Sequence, residues 1–104
     1  MSKTPSHKNA QSKAAGKGGS TEVKLKGGKR LDALTQSGKK ATEVERSGTT
    51  AGLQKATQRL KMKRSKQKVL QVPQKDIPKA VQVMKSKGVK GTVKNMSGTK
   101  RRSV

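Results

Sequence analysis

The chain has 104 residues, of which 27 are Lys or Arg and 5 are Asp or Glu, giving a formal net charge of +22. Apolar residues make up 27%, and Phe, Tyr, Trp and Cys are absent. This size allows one small domain, and the lack of Cys excludes a disulfide framework, a thiolate zinc site and a thiol nucleophile. The single histidine, His7, lies in a polar stretch, which excludes His-based triads and zinc clusters. No apolar run approaches the roughly 20 residues that span a bilayer, so no membrane span is expected, and no apolar signal-peptide segment follows Met1. A chain this basic repels itself and requires polyanionic partners. Nucleic acid comes first, through release of phosphate counterions, and an anionic membrane surface second. Without aromatics to stack on bases, nucleic-acid contacts fall mainly on phosphate and sugar.

Residues 1–19 are rich in Ser, Lys, Gly, Ala, Gln and Asn and lack periodicity, which predicts a disordered basic tail. Residues 97–104 are expected to be a second, shorter one. Between them, residues 20–96 carry a domain-like pattern. Thr21–Leu25 alternates polar and apolar as a half-buried strand does. Lys26–Lys29 is a turn, Arg30–Leu34 a second strand, Thr35–Lys39 a hairpin loop with Gly38 near its end, and Lys40–Arg46 a third strand. These three strands predict an antiparallel meander.

The period then changes. Leu53, Ala56 and Leu60 fall on one helix face, with Thr49 or Thr50 placed to cap it. Lys68–Val72 is a short apolar strand stopped by Pro73. Asp76 sits where an N-cap belongs, Pro78 suits the first turn, and Ile77, Ala80, Val81 and Met84 mark a second amphipathic helix. Gly88 suits its C′ position, and Val89–Val93 reads as a last strand. The expected fold class is α/β, with the order β-β-β-α-β-α-β flanked by disordered tails. The thin core places stability near the low end of about 5–15 kcal/mol. The competing expectation is a wholly disordered chain, because the composition lies near the disorder signature.

The acids are the informative minority. Asp76 has its capping role. Glu22, Asp32, Glu43 and Glu45 all lie on the three consecutive strands. Glu43 and Glu45, two apart, share a strand face. Converging carboxylates in a basic surround suit Mg²⁺ or Mn²⁺, with Lys and Arg holding substrate phosphates. The alternative is that they are cross-strand partners of Lys24, Arg30, Lys40 and Arg46, worth a few tenths of a kcal/mol each.

Arg30-Leu31-Asp32-Ala33-Leu34, a loop, and then Ala41-Thr42-Glu43-Val44-Glu45-Arg46 resemble the core motif of the PD-(D/E)XK restriction-endonuclease-like superfamily. That motif sets an Asp on one strand and Glu-x-Lys on the next. The resemblance covers about residues 20–96 and extends to the basic nuclease domains at the C-termini of bacterial polymorphic toxins. It implies a Mg²⁺- or Mn²⁺-dependent nuclease acting on DNA or RNA, with Asp32 and Glu43 as metal ligands and Glu45 as a third catalytic residue. Glu45 stands where the family usually has Lys, and Leu31 where it has Pro. Arg46 would need a bulge to take over the lysine's role. Gln54 and Gln58, four apart on the following helix, match a polar position that family members place near the site. The implied nucleic-acid contacts are Lys24, Arg30, Lys40, Arg46, Gln54 and Gln58. A toxin would be secreted or delivered to act in a cytoplasm, and its producer would need an acidic immunity protein. The alternative to the nuclease is a non-catalytic basic nucleic-acid-binding protein, ribosome-associated or packaging. A membrane-surface binder ranks last, because neither helix carries bulky interfacial anchors.

Overall fold

The fold is described from a computed structural model, which covers residues 5–63 and 65–104. The first four residues of the expected N-terminal tail and Arg64 lie outside the described residues. In chain order the elements are α1 (Pro5–Ala15), β1 (Ser20–Lys24), β2 (Arg30–Leu34), β3 (Lys40–Val44), α2 (Thr50–Met62), β4 (Gln67–Gln71), α3 (Ile77–Ser86), β5 (Thr92–Lys94) and β6 (Arg101–Ser103). Single 3₁₀ turns lie at Lys26–Gly28 and Gln74–Asp76. The strands form one mixed six-stranded sheet in sequence order. β1–β2, β2–β3 and β5–β6 pair antiparallel, whereas β3–β4 and β4–β5 pair parallel. The two parallel connections require crossovers, and α2 and α3 supply them.

Local chemistry accounts for these boundaries. Thr49 caps α2 by accepting the Gly52 N–H at 3.0 Å. α3 ends at Gly88, which takes φ +69°, a conformation a side chain resists. Asp76 occupies the N-cap position of α3, but its side chain makes no cap bond, so its predicted capping role is not realised. Leu53, Ala56 and Leu60 of α2 and Ile77, Ala80, Val81 and Met84 of α3 pack on Ala41, Leu70 and Val93 of the sheet, forming the main core. Both helices therefore cover one sheet face.

Two segments depart from the sequence expectation. Residues 5–15, predicted to belong to a tail, form α1, which packs against β1, β2 and β3. Ala10, Gln11 and Ala15 are buried there. Ala33, Thr42 and Val44 are buried but lie outside the main core, on the face that α1 covers. The helix has almost no apolar surface except alanine, so composition gave it no periodic signal. Within the expected C-terminal tail, Arg101–Ser103 adds an edge strand to β5. The last predicted strand shifts to Thr92–Lys94, because Val89 closes the end of α3 by bonding Met84 O.

Leu70, on a central strand, is fully buried between the helices and the sheet. Leu70→Ala should cost about 2–5 kcal/mol, a large share of the stability of a domain this small. Urea denaturation followed by circular dichroism checks this, and a loss under about 1 kcal/mol would show that the core tolerates the cavity.

Candidate active site

The antiparallel register carries an irregularity where the carboxylates lie. β1 and β2 pair Thr21 with Ala33 and Val23 with Leu31, and between these two steps Glu22 stands opposite Asp32. Glu22 has φ +52°, the left-handed region that non-glycine residues rarely enter. Leu31 and Leu34 both reach the main core although they are three residues apart, so strict strand alternation is broken between them. The break turns the acidic side chains inward rather than to solvent.

Asp32 and Glu43 then lock the two strands together. Glu43 Oε2 accepts the Asp32 backbone N–H at 2.7 Å, and Asp32 Oδ2 accepts the Val44 N–H at 2.7 Å. Each carboxylate takes a main-chain donor from the other strand, in place of a regular ladder bond. The remaining oxygens meet side chains from the helices. Gln11 Nε2 donates to Asp32 Oδ1 at 2.8 Å and to Glu22 Oε2 at 3.1 Å. His7 Nε2 lies 3.2 Å from Asp32 Oδ1. From α2, Arg59 Nη1 donates to Glu43 Oε1 at 3.3 Å. Asp32 is 4% exposed and Glu43 is 1% exposed. Burial, and then the neighbouring Asp32 carboxylate, push the Glu43 pKa up to about 9, against the partial relief from Arg59.

Of the residues expected from sequence, Asp32 and Glu43 come together across β2 and β3. The structure carries Glu45 elsewhere: its Oε1 accepts the Ser47 N–H at 3.0 Å, and its carboxyl lies beside Gly52 at the start of α2. There its charge faces the positive end of a helix. Gln54 and Gln58 line a cavity of about 460 Å³ on α2, together with Lys29, Lys55, Arg59 and Lys87. Arg59 thus touches both Glu43 and this cationic cavity, and its Nε is buried without an acceptor. Lys24 and Arg30 line a separate pocket with Leu25, Gly28 and Lys29. Lys40 is not brought to the carboxylates and instead lines a cavity with β4, β5 and β6. Arg46 lies just beyond the end of β3, one residue past Glu45.

The sequence reasoning missed His7, Gln11 and Arg59, and used Glu22 only as one of the clustered acids. His7 and Gln11 are four apart, one helical turn, which is a signal only once residues 5–15 are known to be helical. Arg59 follows Gln58, on the same helix as the expected glutamines. No family model, curated protein or solved structure matches this chain.

The raised Glu43 pKa has a definite consequence for stability. Between about 4.5, where the unfolded Glu43 ionises, and about 9, the folded state holds a proton that the unfolded state releases. Stability therefore falls as pH rises through this window. In EDTA, the urea midpoint of the wild type should decrease from pH 5 to pH 8.5, and Glu43→Gln should flatten that decrease. A wild-type midpoint constant across the window would show that Glu43 is ionised in the folded protein.

Proposed function

We propose that the protein is a metal-dependent nuclease hydrolysing phosphodiester bonds in DNA or RNA, on a restriction-endonuclease-like core whose first three strands are the expected meander. The observation that carries this reading is the buried Asp32–Glu43 pair next to a cavity rich in Lys and Arg. A hydrogen-bonded carboxylate pair in so basic a chain costs stability, and a divalent cation would offset that cost by neutralising it.

The donor set fits Mg²⁺ or Mn²⁺. Both are oxygen-seeking, and Mg²⁺ keeps several waters and needs only one or two protein carboxylates. Asp32 Oδ2 and Glu43 Oε2 are committed to main-chain amides, which fixes the two groups in place. Asp32 Oδ1 and Glu43 Oε1 meet side chains of Gln11, His7 and Arg59. These are the oxygens that would hold the ion. Among the described residues, no group of three or more His, Cys, Asp or Glu is disposed as a metal site, and the proposed ligands are this pair alone. Bound there, a divalent ion supplies Lewis acidity and a more acidic water.

The remaining residues would act by position and charge. Arg59, whose side chain is 34% exposed, would hold a substrate phosphate at the mouth of the α2 cavity, and Gln54 and Gln58 would contact the adjacent backbone. Lys29 and Lys55 extend the positive lining. The second reading, a non-catalytic nucleic-acid binder, is favoured by one observation: every carboxylate oxygen of the pair already has a protein donor.

Plasmid DNA and total tRNA, each with Mg²⁺, Mn²⁺ or EDTA, separate the two readings. Cleavage should require the metal, and Asp32→Asn or Glu43→Gln should abolish it while leaving binding intact or tighter, since neither removes a cation that holds phosphate. Cleavage that persists in EDTA, or full activity in the double variant, overturns the nuclease. A stable protein that binds but cleaves neither substrate establishes the binder.

Binding itself should be largely independent of sequence, with a steep negative slope of log affinity against log salt. A slope near zero in an anisotropy titration would exclude phosphate as the recognised group.

A further inference from the structure

The sheet has a second face, and only part of it is covered. α1 packs on β1, β2 and β3, whereas α2 and α3 occupy the other side. Ala41, Leu70 and Val93 point into the α2–α3 core, so Lys40, Val69, Thr92 and Lys94 point the opposite way by strand alternation. The register carries that face outward: Val69 pairs with Thr92, and Lys94 pairs with Arg101. These residues line a cavity of about 300 Å³, whose walls also include Lys66 and Lys68 and, among the described residues, no carboxylate.

This arrangement is unfavourable in the protein alone. Lys94 and Arg101 are direct cross-strand neighbours of like charge, a placement that destabilises a sheet. Lys40 lies close enough to add to the repulsion, and burial together with these two cations lowers the Lys94 pKa. A ligand that satisfies this cluster must be strongly anionic and small enough in cross-section to enter a cavity. Phosphate groups meet both conditions. A protein partner would be expected to use aromatic or large apolar anchors at the centre of its interface, and the lining offers only Val69.

We infer that the face of β3–β6 built by Lys40, Lys94 and Arg101 is a second phosphate-binding surface, which holds the sugar–phosphate backbone of a nucleic acid on the side of the sheet away from α2. The inference rests on the nucleic-acid reading for the identity of the polyanion and is independent of cleavage. β6, in the expected tail, becomes a structural part of the binding surface.

The test uses the full chain in EDTA, so that hydrolysis plays no part. Lys94→Gln with Arg101→Gln should raise the urea midpoint, because the cross-strand repulsion is gone, and yet weaken binding to a labelled 20-base-pair duplex. The log–log salt slope should become shallower by about 2, one unit for each lost phosphate contact. Lys26→Gln with Lys85→Gln removes the same charge from exposed positions elsewhere and should change the slope by less than half as much. In a ¹H–¹⁵N spectrum, inorganic pyrophosphate should shift the amides of Thr92, Lys94 and Arg101 in the wild type. Equal slopes in the two double variants, or unshifted amides at this face, overturn the proposal. So does tighter binding of poly-glutamate than of an oligonucleotide of equal charge, which would assign the face to an acidic protein. A wild type that binds no nucleic acid overturns this inference and the preceding reading together, whereas binding without cleavage leaves this one standing.

Discussion

The exchange of main-chain donors between Asp32 and Glu43 is the constraint on which the rest of the site depends. Two carboxylates buried side by side repel each other, and neither would stay ionised in an apolar setting. Here each accepts a 2.7 Å bond from the backbone of the opposite strand. The bonds hold β2 to β3 at a step where the regular ladder gives way, and they fix one oxygen of each carboxylate. The other oxygen of each is then presented to side chains from two helices on opposite faces of the sheet: Gln11 and His7 from α1, Arg59 from α2. The pair is therefore the point at which three layers meet. A loss of either acid would leave a buried amide without its acceptor, a cost of about 1–3 kcal/mol apart from any effect on chemistry.

That position explains why α1 exists as an ordered helix at all. Its sequence, PSHKNAQSKAA, has little apolar surface to bury, and an isolated helix of this length is marginal in water. Its docking relies on Ala10 and Ala15, which let the backbone approach the sheet closely, and on polar bonds from Gln11 and His7 to the carboxylates. The site and the helix support each other. Gln11 bridges Asp32 and Glu22, so it also ties the irregular step of β1 to that of β2.

Much of the central fold was legible in the sequence because its signals are local. Arg30–Leu34 is a strand with the expected bounds, Thr49 caps α2, and Gly88 ends α3. The convergence of Asp32 and Glu43 was legible too, from acids concentrated on neighbouring strands. What escaped was set by tertiary context. α1 has no amphipathic stripe because alanine and glutamine do its packing, and β6 is an exposed three-residue edge strand that is made by its pairing with β5 rather than by any pattern of its own. Glu45 was assigned to the site by strict alternation. The turn at Ser47 and the start of α2 draw its carboxylate away instead. Lys40, a contact that the resemblance implies, is sent by alternation along β3 to the face opposite Glu43.

The acids account for the character of the surface. Only five exist against 27 cations, and two of them, Asp32 and Glu43, are buried. Glu22, Asp32 and Glu43 converge on the buried node, Glu45 lies at the start of α2, and Asp76 at the start of α3. Hardly any negative charge is left to neutralise the outside. A chain selected only for stability would distribute its few carboxylates among surface lysines, where each relieves repulsion. Gathering three of them at the node leaves the cavities beside α2 and on the opposite sheet face lined by Lys and Arg, with no carboxylate among the described lining residues. The repulsion this creates opposes folding, and a bound polyanion removes it, so ligand binding and stability are linked by mass action. In the proposed nuclease, the node would take the cation and the basic surface the phosphate. A phosphodiester held against a divalent ion demands both properties at once.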